Sequence, residues 1–132
     1  VGGRADRQQA RWRHLMNQCD GAKRKLVQLR HHAERYRLQM CGRLSDGMEA
    51  TATMGFVRFI GQIEAVITKQ EHEVARLEQA CLEQWHRLIE ARREKRMYEI
   101  LRDRAEAEKL SLALRRSQAE IDELMGRIVK LL

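Results

Sequence analysis

The histidines are the best candidates for metal ligands in this sequence, but their spacing does not fit a metal site. His72 and Glu73 open the helical zinc motif, but that motif needs a second histidine four residues after the first, and Arg76 stands there. His31 and His32 are adjacent, and adjacent side chains on a helix point about 100° apart, so they cannot chelate one ion together. The sequence has no glycine-rich phosphate loop that ends in Gly-Lys-Ser/Thr. We therefore expect no catalytic residue, no bound metal and no cofactor.

Cysteine is the remaining side chain that could act as a nucleophile. The sequence has three cysteines at unrelated spacings, which suggest neither a disulfide framework nor a zinc module and are typical of a reducing cytoplasm. Cys19 and Cys81 come close together if the chain turns back near residue 50. A redox pair is conceivable, but the spacing favours two small buried hydrophobic side chains.

Long helices must position these side chains. The 132 residues include no proline, 34% are charged and only 5% are aromatic. Proline breaks helices, and the abundant Leu, Ala, Glu, Gln, Lys and Arg residues are strong helix formers. A chain of this length allows one domain at most, and the scarcity of large side chains argues against a compact enzyme core. The longest apolar clusters are far shorter than the roughly 20 residues that a membrane span needs.

Apolar residues recur at alternate steps of three and four, which predicts a coiled coil. The pattern predicts a first helix over about residues 4–44, a tip loop over about 45–54 and a second helix over about 55–131, all in one domain over 1–132. We call the series of positions along which each helix packs on the other its seam. The predicted seam of the first helix is Ala5, Gln8, Trp12, Leu15, Cys19, Ala22, Leu26, Leu29, Ala33, Tyr36 and Met40. That of the second is Phe56, Ile60, Ile63, Ile67, Gln70, Val74, Leu77, Cys81, Gln84 and Leu88.

The two predicted helices differ in length. A short loop between long amphipathic helices makes them antiparallel, so the first helix covers the second only to about Arg96. The fold class is therefore all-α: an antiparallel two-helix coiled coil, or long α-hairpin, with an overhanging C-terminal helix. Beyond a stretch where the period slips, an apolar stripe resumes on the overhang, from Leu110 to Leu131. An apolar stripe left in water is unfavourable, which indicates a binding partner.

Charge separates the two helices. Residues 1–44 hold 11 Lys and Arg against 3 Asp and Glu, whereas the rest of the chain is almost neutral. A basic rod suggests nucleic-acid binding as one alternative. The arginines are spread around the helix, however, and no stacking aromatic residues are interleaved with them, so a solvated coiled-coil face is the favoured interpretation and we expect no nucleic-acid partner.

Three segments resemble the FliJ family, small coiled-coil proteins of the flagellar type III export apparatus. Residues 55–70, GFVRFIGQIEAVITKQ, are similar to the opening of that family's second helix. Residues 92–96, RREKR, with LRDR at 101–104, look like its basic patch and the continuation of that patch. The sequence ERYR at 34–37 is similar to a motif just before the family's tip loop. The resemblance extends over about residues 22–105.

This resemblance implies a non-enzymatic stalk that binds the ring of a hexameric, FliI-like export ATPase and promotes its assembly and activity. It also implies coupling to an FlhA-like export gate protein, contacts with export chaperones, and a peripheral place at the cytoplasmic face of the inner membrane at the flagellar base. The implied gate contacts are Leu29, His32, Tyr36, Phe59, Ile63, Val66 and Gln70. The implied ATPase-ring contacts are Arg93, Lys95, Arg96, Leu101, Arg104, Leu110, Leu114, Ile121 and Leu124.

The sequence is also compatible with alternatives to this role. The stalk proteins of virulence injectisomes share the two-helix plan, and the stripe from Leu110 to Leu131 could instead pair two copies of a generic coiled-coil scaffold. Several implied gate contacts also lie at or beside the predicted seam, where simple packing between the two helices would explain them. For Leu29 and Ile63, packing between the helices is favoured over a gate contact. For Tyr36 and Phe59, the two explanations are equally favoured.

Overall fold

The chain forms two long helices. A computed structural model describes residues 2–47 and 49–132, with α1 at Gly2–Ser45 and α2 at Ala50–Leu131. No strand occurs in these two ranges. At 1.5 Å per residue, α1 is about 66 Å long and α2 about 123 Å. Ion pairs join Arg37 to Glu64 near the turn and Arg4 to Glu94 far from it, so the helices are antiparallel. The predicted all-α hairpin with an overhanging C-terminal helix is confirmed.

The connection between the helices is shorter than the predicted loop of about residues 45–54. Gly47 has φ +88°, a left-handed conformation that glycine adopts at little cost, and it follows the last helical residue, Ser45. α2 then begins at Ala50, where Thr53 donates both its backbone N–H and its hydroxyl to the Glu49 carbonyl, at 2.9 and 3.0 Å. These bonds, and the high helix propensity of alanine, extend α2 toward the turn. Val1 and Met48, which fall within the predicted domain and loop, lie outside the described residues.

The core of the hairpin follows the two predicted seams. The buried residues are Ala5, Cys19, Leu26, Ala33 and Met40 on α1, and Val74, Leu77, Cys81, Gln84, Leu88 and Ala91 on α2. All except Ala91 belong to the series that the three-four period picks out, and the other members of that series are half-buried. Because two helices enclose little volume, Leu88 is the only large side chain that is fully buried among the described residues. The fold therefore depends on one long thin seam.

Two glutamines pair inside this seam. The amide nitrogen of buried Gln84 donates to the side-chain oxygen of Gln8 at 2.6 Å and to its backbone carbonyl at 3.1 Å. A buried amide that lost these acceptors would be left unsatisfied, at a free-energy cost of about 1–3 kcal/mol. A shift of one helix along the other would separate the pair, so the glutamines favour a single alignment of α1 with α2.

A ladder of three ion pairs runs along one flank of the seam. Lys23 contacts Glu78 at 3.5 Å, Arg30 contacts Glu71 at 3.3 Å, and Arg37 contacts Glu64. Successive pairs are seven residues apart on both helices. Part of the excess positive charge of α1 thus meets acidic residues of α2 rather than facing solvent alone. Each pair is about half exposed, which keeps its individual contribution to stability small.

Reversing the charge of Glu71 is expected to weaken the hairpin modestly. Glu71→Lys replaces an attraction to Arg30 by a repulsion, and should lower the melting temperature by a few degrees at low salt. The double variant Arg30→Glu with Glu71→Lys restores an opposite-charge pair and should recover most of the loss. Thermal melts followed by circular dichroism at 0.05 and 1 M NaCl check both statements. A loss that persisted unchanged at 1 M salt would contradict an electrostatic origin.

The pairing of the helices ends near the start of α1. Ala91 is 1% exposed, and Glu94 forms the ion pair with Arg4. From Arg96 to Leu132 every residue is exposed. The structure thus places the start of the overhang where the sequence predicted it. Neither described helix carries an apolar stretch long enough to cross a membrane.

Candidate functional site

The two seam cysteines lie in one apolar cluster. Cys19 and Cys81 are buried free thiols that pack with Leu77, and Leu15 and Met16 lie against the same cluster. Burial is the main cause that raises the pKa of the Cys81 thiol, and the neighbouring Cys19 is the second cause. The reactive thiolate of Cys81 is therefore depleted near neutral pH. No group of three His, Cys, Asp or Glu residues in the described ranges is arranged to hold a metal ion. The cysteines act here as small packing residues.

Thiol reactivity should separate the three cysteines. Cys41 is exposed, whereas Cys19 and Cys81 are buried. Because only the thiolate attacks and the pKa of Cys81 is raised, we expect one fast and two slow thiols in a disulfide-exchange assay at pH 8. Cys41→Ser should remove the fast phase, and mild urea should accelerate the slow ones. Two fast thiols in the Cys41→Ser protein would contradict the buried arrangement.

A groove near the turn brings together five of the seven predicted gate contacts. Its volume is about 420 Å³, and its lining consists of Leu29, His32, Ala33, Arg35, Tyr36, Gln39, Phe59 and Ile63. The rings of Tyr36 and Phe59 are tilted by 54° with centroids 4.5 Å apart, and the ring centroid of Phe56 lies 5.7 Å from that of Tyr36. These aromatic contacts join α1 to α2, and Tyr36 and Phe59 line what we call the tip groove.

The other two predicted gate contacts lie in the adjoining groove. Val66 and Gln70 line it together with Lys25, Lys69 and Glu73. Gln70 donates its amide to the Ala22 carbonyl at 3.0 Å, so its polar group is already used within the fold. Val66 is 50% exposed and has no such role.

Both grooves lie on the flank of the seam opposite the ion-pair ladder. Phe59, Val66 and Glu73 are seven residues apart and form one edge of α2, while Glu64 and Glu71 of the ladder form the other. One flank is therefore closed by ion pairs. The other presents an apolar floor with lysine and arginine at its rim. We call the part of this second flank that carries the seven predicted gate contacts the tip strip.

Exposure distinguishes the residues of the tip strip that only pack from those that a partner can reach. Leu29, Tyr36 and Ile63 are half-buried between the helices. His32 is exposed, and Phe59 keeps 42% of its surface. Tyr36 thus serves both the fold and the groove, whereas His32 and Val66 are available to a ligand at little cost to the fold.

The predicted ATPase-ring contacts lie on the last part of α2. Lys95 is half-buried, and the others are exposed: Arg93, Arg96, Leu101, Arg104, Leu110, Leu114, Ile121 and Leu124. Leu110, Leu114, Ile121 and Leu124 follow the three-four period and form one stripe. Further exposed apolar residues lie off this stripe, among them Leu112 at 50% and Val129 at 66%. Apolar surface thus occurs on more than one side of the overhang.

One surface feature was missed by the sequence analysis. Trp12 and Trp85 form a pair with ring centroids 5.2 Å apart, next to exposed Leu82. The signal was present, because Leu82, Trp85 and Ile89 are spaced by three and four residues but lie off the seam. Apolar residues that share a helix face outside the seam indicate a second contact surface.

Comparison with known proteins gives one match that covers almost the whole chain. A family model described as "Flagellar FliJ protein" matches residues 4–130. No curated protein matches the chain, and no solved structure matches it. The matched range includes the tip strip and nearly all of the overhang.

Proposed function

The chain belongs to the FliJ family, a non-enzymatic component of the flagellar export apparatus, and on that premise we propose that it is the stalk of the export ATPase. In this role the overhang enters the central pore of a hexameric, FliI-like ring and promotes its assembly and activity. The tip strip binds the FlhA-like export gate, and export chaperones are further partners. The protein then works at the cytoplasmic face of the inner membrane, held there peripherally by the apparatus.

The exposure of the overhang is the observation that supports this proposal most. Leu110, Leu114, Ile121 and Leu124 are 53–63% exposed, and burying apolar surface gains about 25 cal/mol per Å². A second copy of the chain would cover one stripe in a coiled coil. The pore of a ring surrounds the helix, and so also covers Leu112 and Val129 on its other sides. The distribution of apolar surface favours the ring.

The tip strip supports the gate contact by its exposed apolar residues. Val66→Ser should weaken binding to the cytoplasmic domain of the export gate by roughly 5–10-fold. The substitution removes apolar contacts that Val66 makes only in the complex. Its exposure of 50% means that the melting temperature should change little. Val57→Ser is the matched control, since Val57 is 64% exposed on the same helix but belongs to the ladder flank. Titration calorimetry gives the affinities.

Equal effects of Val66→Ser and Val57→Ser on gate binding would contradict the assignment of the tip strip. Tyr36→Ala serves as a second probe, with a different expected result. Because its ring contacts Phe56 and Phe59 across the hairpin, this variant should lose both gate affinity and melting temperature.

An ATPase assay tests the stalk proposal directly. The purified chain should raise the hydrolysis rate of its cognate export ATPase and shift the enzyme toward hexamers in sedimentation. Light scattering of the chain alone should give a monomer mass that does not change with concentration. If the chain neither bound nor stimulated the ATPase, the stalk role would be lost.

A further inference from the structure

An apolar patch lies on the paired part of the hairpin, close to the start of the overhang. We call it the tryptophan patch: Trp12, Met16, Leu82, Trp85 and Ile89. The two indole rings are tilted by 49° with centroids 5.2 Å apart. Trp85 remains 37% exposed and Leu82 51%, while the other three are half-buried. Contiguous apolar surface of this kind, with tryptophan at its centre, is typical of protein-binding sites.

The patch interrupts the ion-pair ladder. One heptad beyond Lys23 and Glu78, the two ladder positions are occupied by Met16 and Trp85. One heptad further, Arg92 donates a hydrogen bond of 3.4 Å to the neutral side chain of Gln9. An exposed ion pair would suit these flank positions, as it does at the three ion pairs of the ladder. Large apolar side chains there expose surface to water, which folding of the hairpin alone does not require.

Arginines extend the patch toward the overhang. Arg92 follows Trp85 by seven residues, and Arg96 follows Ile89 by seven, so they continue the same face of α2. Arg93 lies between them. Within residues 2–47 and 49–132, neither Arg93 nor Arg96 forms an ion pair. The result is one strip whose apolar part is the tryptophan patch and whose cationic part is Arg92, Arg93 and Arg96.

We propose that this strip docks an acidic segment of the export ATPase, which places apolar side chains on the tryptophan patch and carboxylates on the three arginines. The inference rests on the proposed stalk function and extends the predicted ring contacts Arg93 and Arg96 to Arg92 and to the tryptophan patch on the paired part of the hairpin. Position favours the ATPase over the gate, because Trp85 lies 26 residues from Phe59, about 39 Å along the helix, and is continuous with the segment that enters the ring. Arginine and tryptophan are the residue types that most often dominate binding energy at interfaces.

The sign of the partner's charge can be measured at Leu82. Leu82→Lys and Leu82→Glu remove the same apolar side chain, so any difference between them reports on the charge that faces this position. Against an acidic segment, Leu82→Glu should bind the cognate ATPase hexamer at least about 10-fold more weakly than Leu82→Lys at 0.1 M salt. The difference should vanish at 1 M salt, where charges are screened within about 3 Å. Leu38→Glu, at a position that is 64% exposed on α1, is the control and should bind like the unmodified chain.

Trp85 tests the apolar half of the strip. Trp85→Ala should weaken binding roughly 10–50-fold, while Trp85→Phe, which keeps a ring against Trp12, should recover most of it. Circular dichroism melts of both variants separate a folding defect from a binding defect. Should Trp85→Ala fail to fold, the Leu82 comparison decides alone, because Leu82 is half exposed.

The outcomes distinguish this inference from the stalk proposal. If the unmodified chain does not bind the ATPase, the stalk proposal fails and this inference fails with it. If the chain binds but Leu82→Lys and Leu82→Glu are equal, or Leu82→Glu binds more tightly, only the acidic docking contact is overturned. A dimer of the free chain that Leu82→Glu dissociates would instead assign the strip to self-association.

Discussion

Removal of residues 97–132 is expected to abolish stimulation of the export ATPase and to leave the hairpin folded. Every buried residue lies at or before Ala91, and the last interhelical ion pair involves Glu94. The truncated chain therefore keeps its seam and its ladder, and its melting temperature should stay within a few degrees of the full chain. In the proposed stalk role the apolar stripe of the overhang contacts the ring, so without it the hydrolysis rate should return to that of the ATPase alone.

Substitutions within the overhang sharpen this test. Ile121→Ser with Leu124→Ser disrupts the stripe and should remove most of the stimulation. Leu112→Ser with Ala119→Ser changes two residues on the opposite face of the same helix and should have a smaller effect. A truncated protein that still stimulated the ATPase fully would show that the ring holds the paired part of the hairpin, and would overturn insertion of the overhang.

Leu88→Ala is expected to cause the largest loss of stability of any single substitution to alanine in the described residues. Leu88 is 0% exposed, and truncating a buried leucine to alanine typically costs about 2–5 kcal/mol of the free energy of unfolding. A two-helix seam has few neighbouring side chains that could compensate for the lost contacts. Urea unfolding followed by circular dichroism gives the free energy directly.

Leu82→Ala provides the control for this measurement. It removes the same atoms from the same helix at a position that is 51% exposed, and should cost less than about 1 kcal/mol. Similar losses for the two variants would contradict the assignment of Leu88 to the core. The comparison needs no partner protein.

The heptad pattern allowed much of the fold to be predicted from the sequence. Ala33 and Met40 were expected on the seam, and both are buried. The pairing of basic residues of α1 with Glu64, Glu71 and Glu78 was not predicted, because the charges beyond residue 44 almost cancel. The loop was less predictable, because its extent depends on individual hydrogen bonds. Gly47 makes the turn, whereas Gly55 lies within α2.

For the candidate gate site, the family resemblance supplied seven residues, and the structure divides them between two grooves. Leu29, His32, Tyr36, Phe59 and Ile63 line one groove, and Val66 and Gln70 line the next. Residue spacing alone did not predict that the amide of Gln70 would be used by the Ala22 carbonyl. The contact between the rings of Trp12 and Trp85 was also not predicted, because it joins residues 73 positions apart.

The sequence by itself determined that this chain forms two helices, which faces of them are apolar, and that part of the second helix has no partner within the chain. These properties follow from a helical period that repeats locally along the chain. Only the tertiary structure decided which residues meet across the seam, and therefore that, in the half of the hairpin nearer the turn, ion pairs close one flank while apolar grooves open on the other. That alignment depends on where Gly47 turns the chain and on pairs such as Gln8 with Gln84, and a shift of even one residue would place different side chains opposite each other.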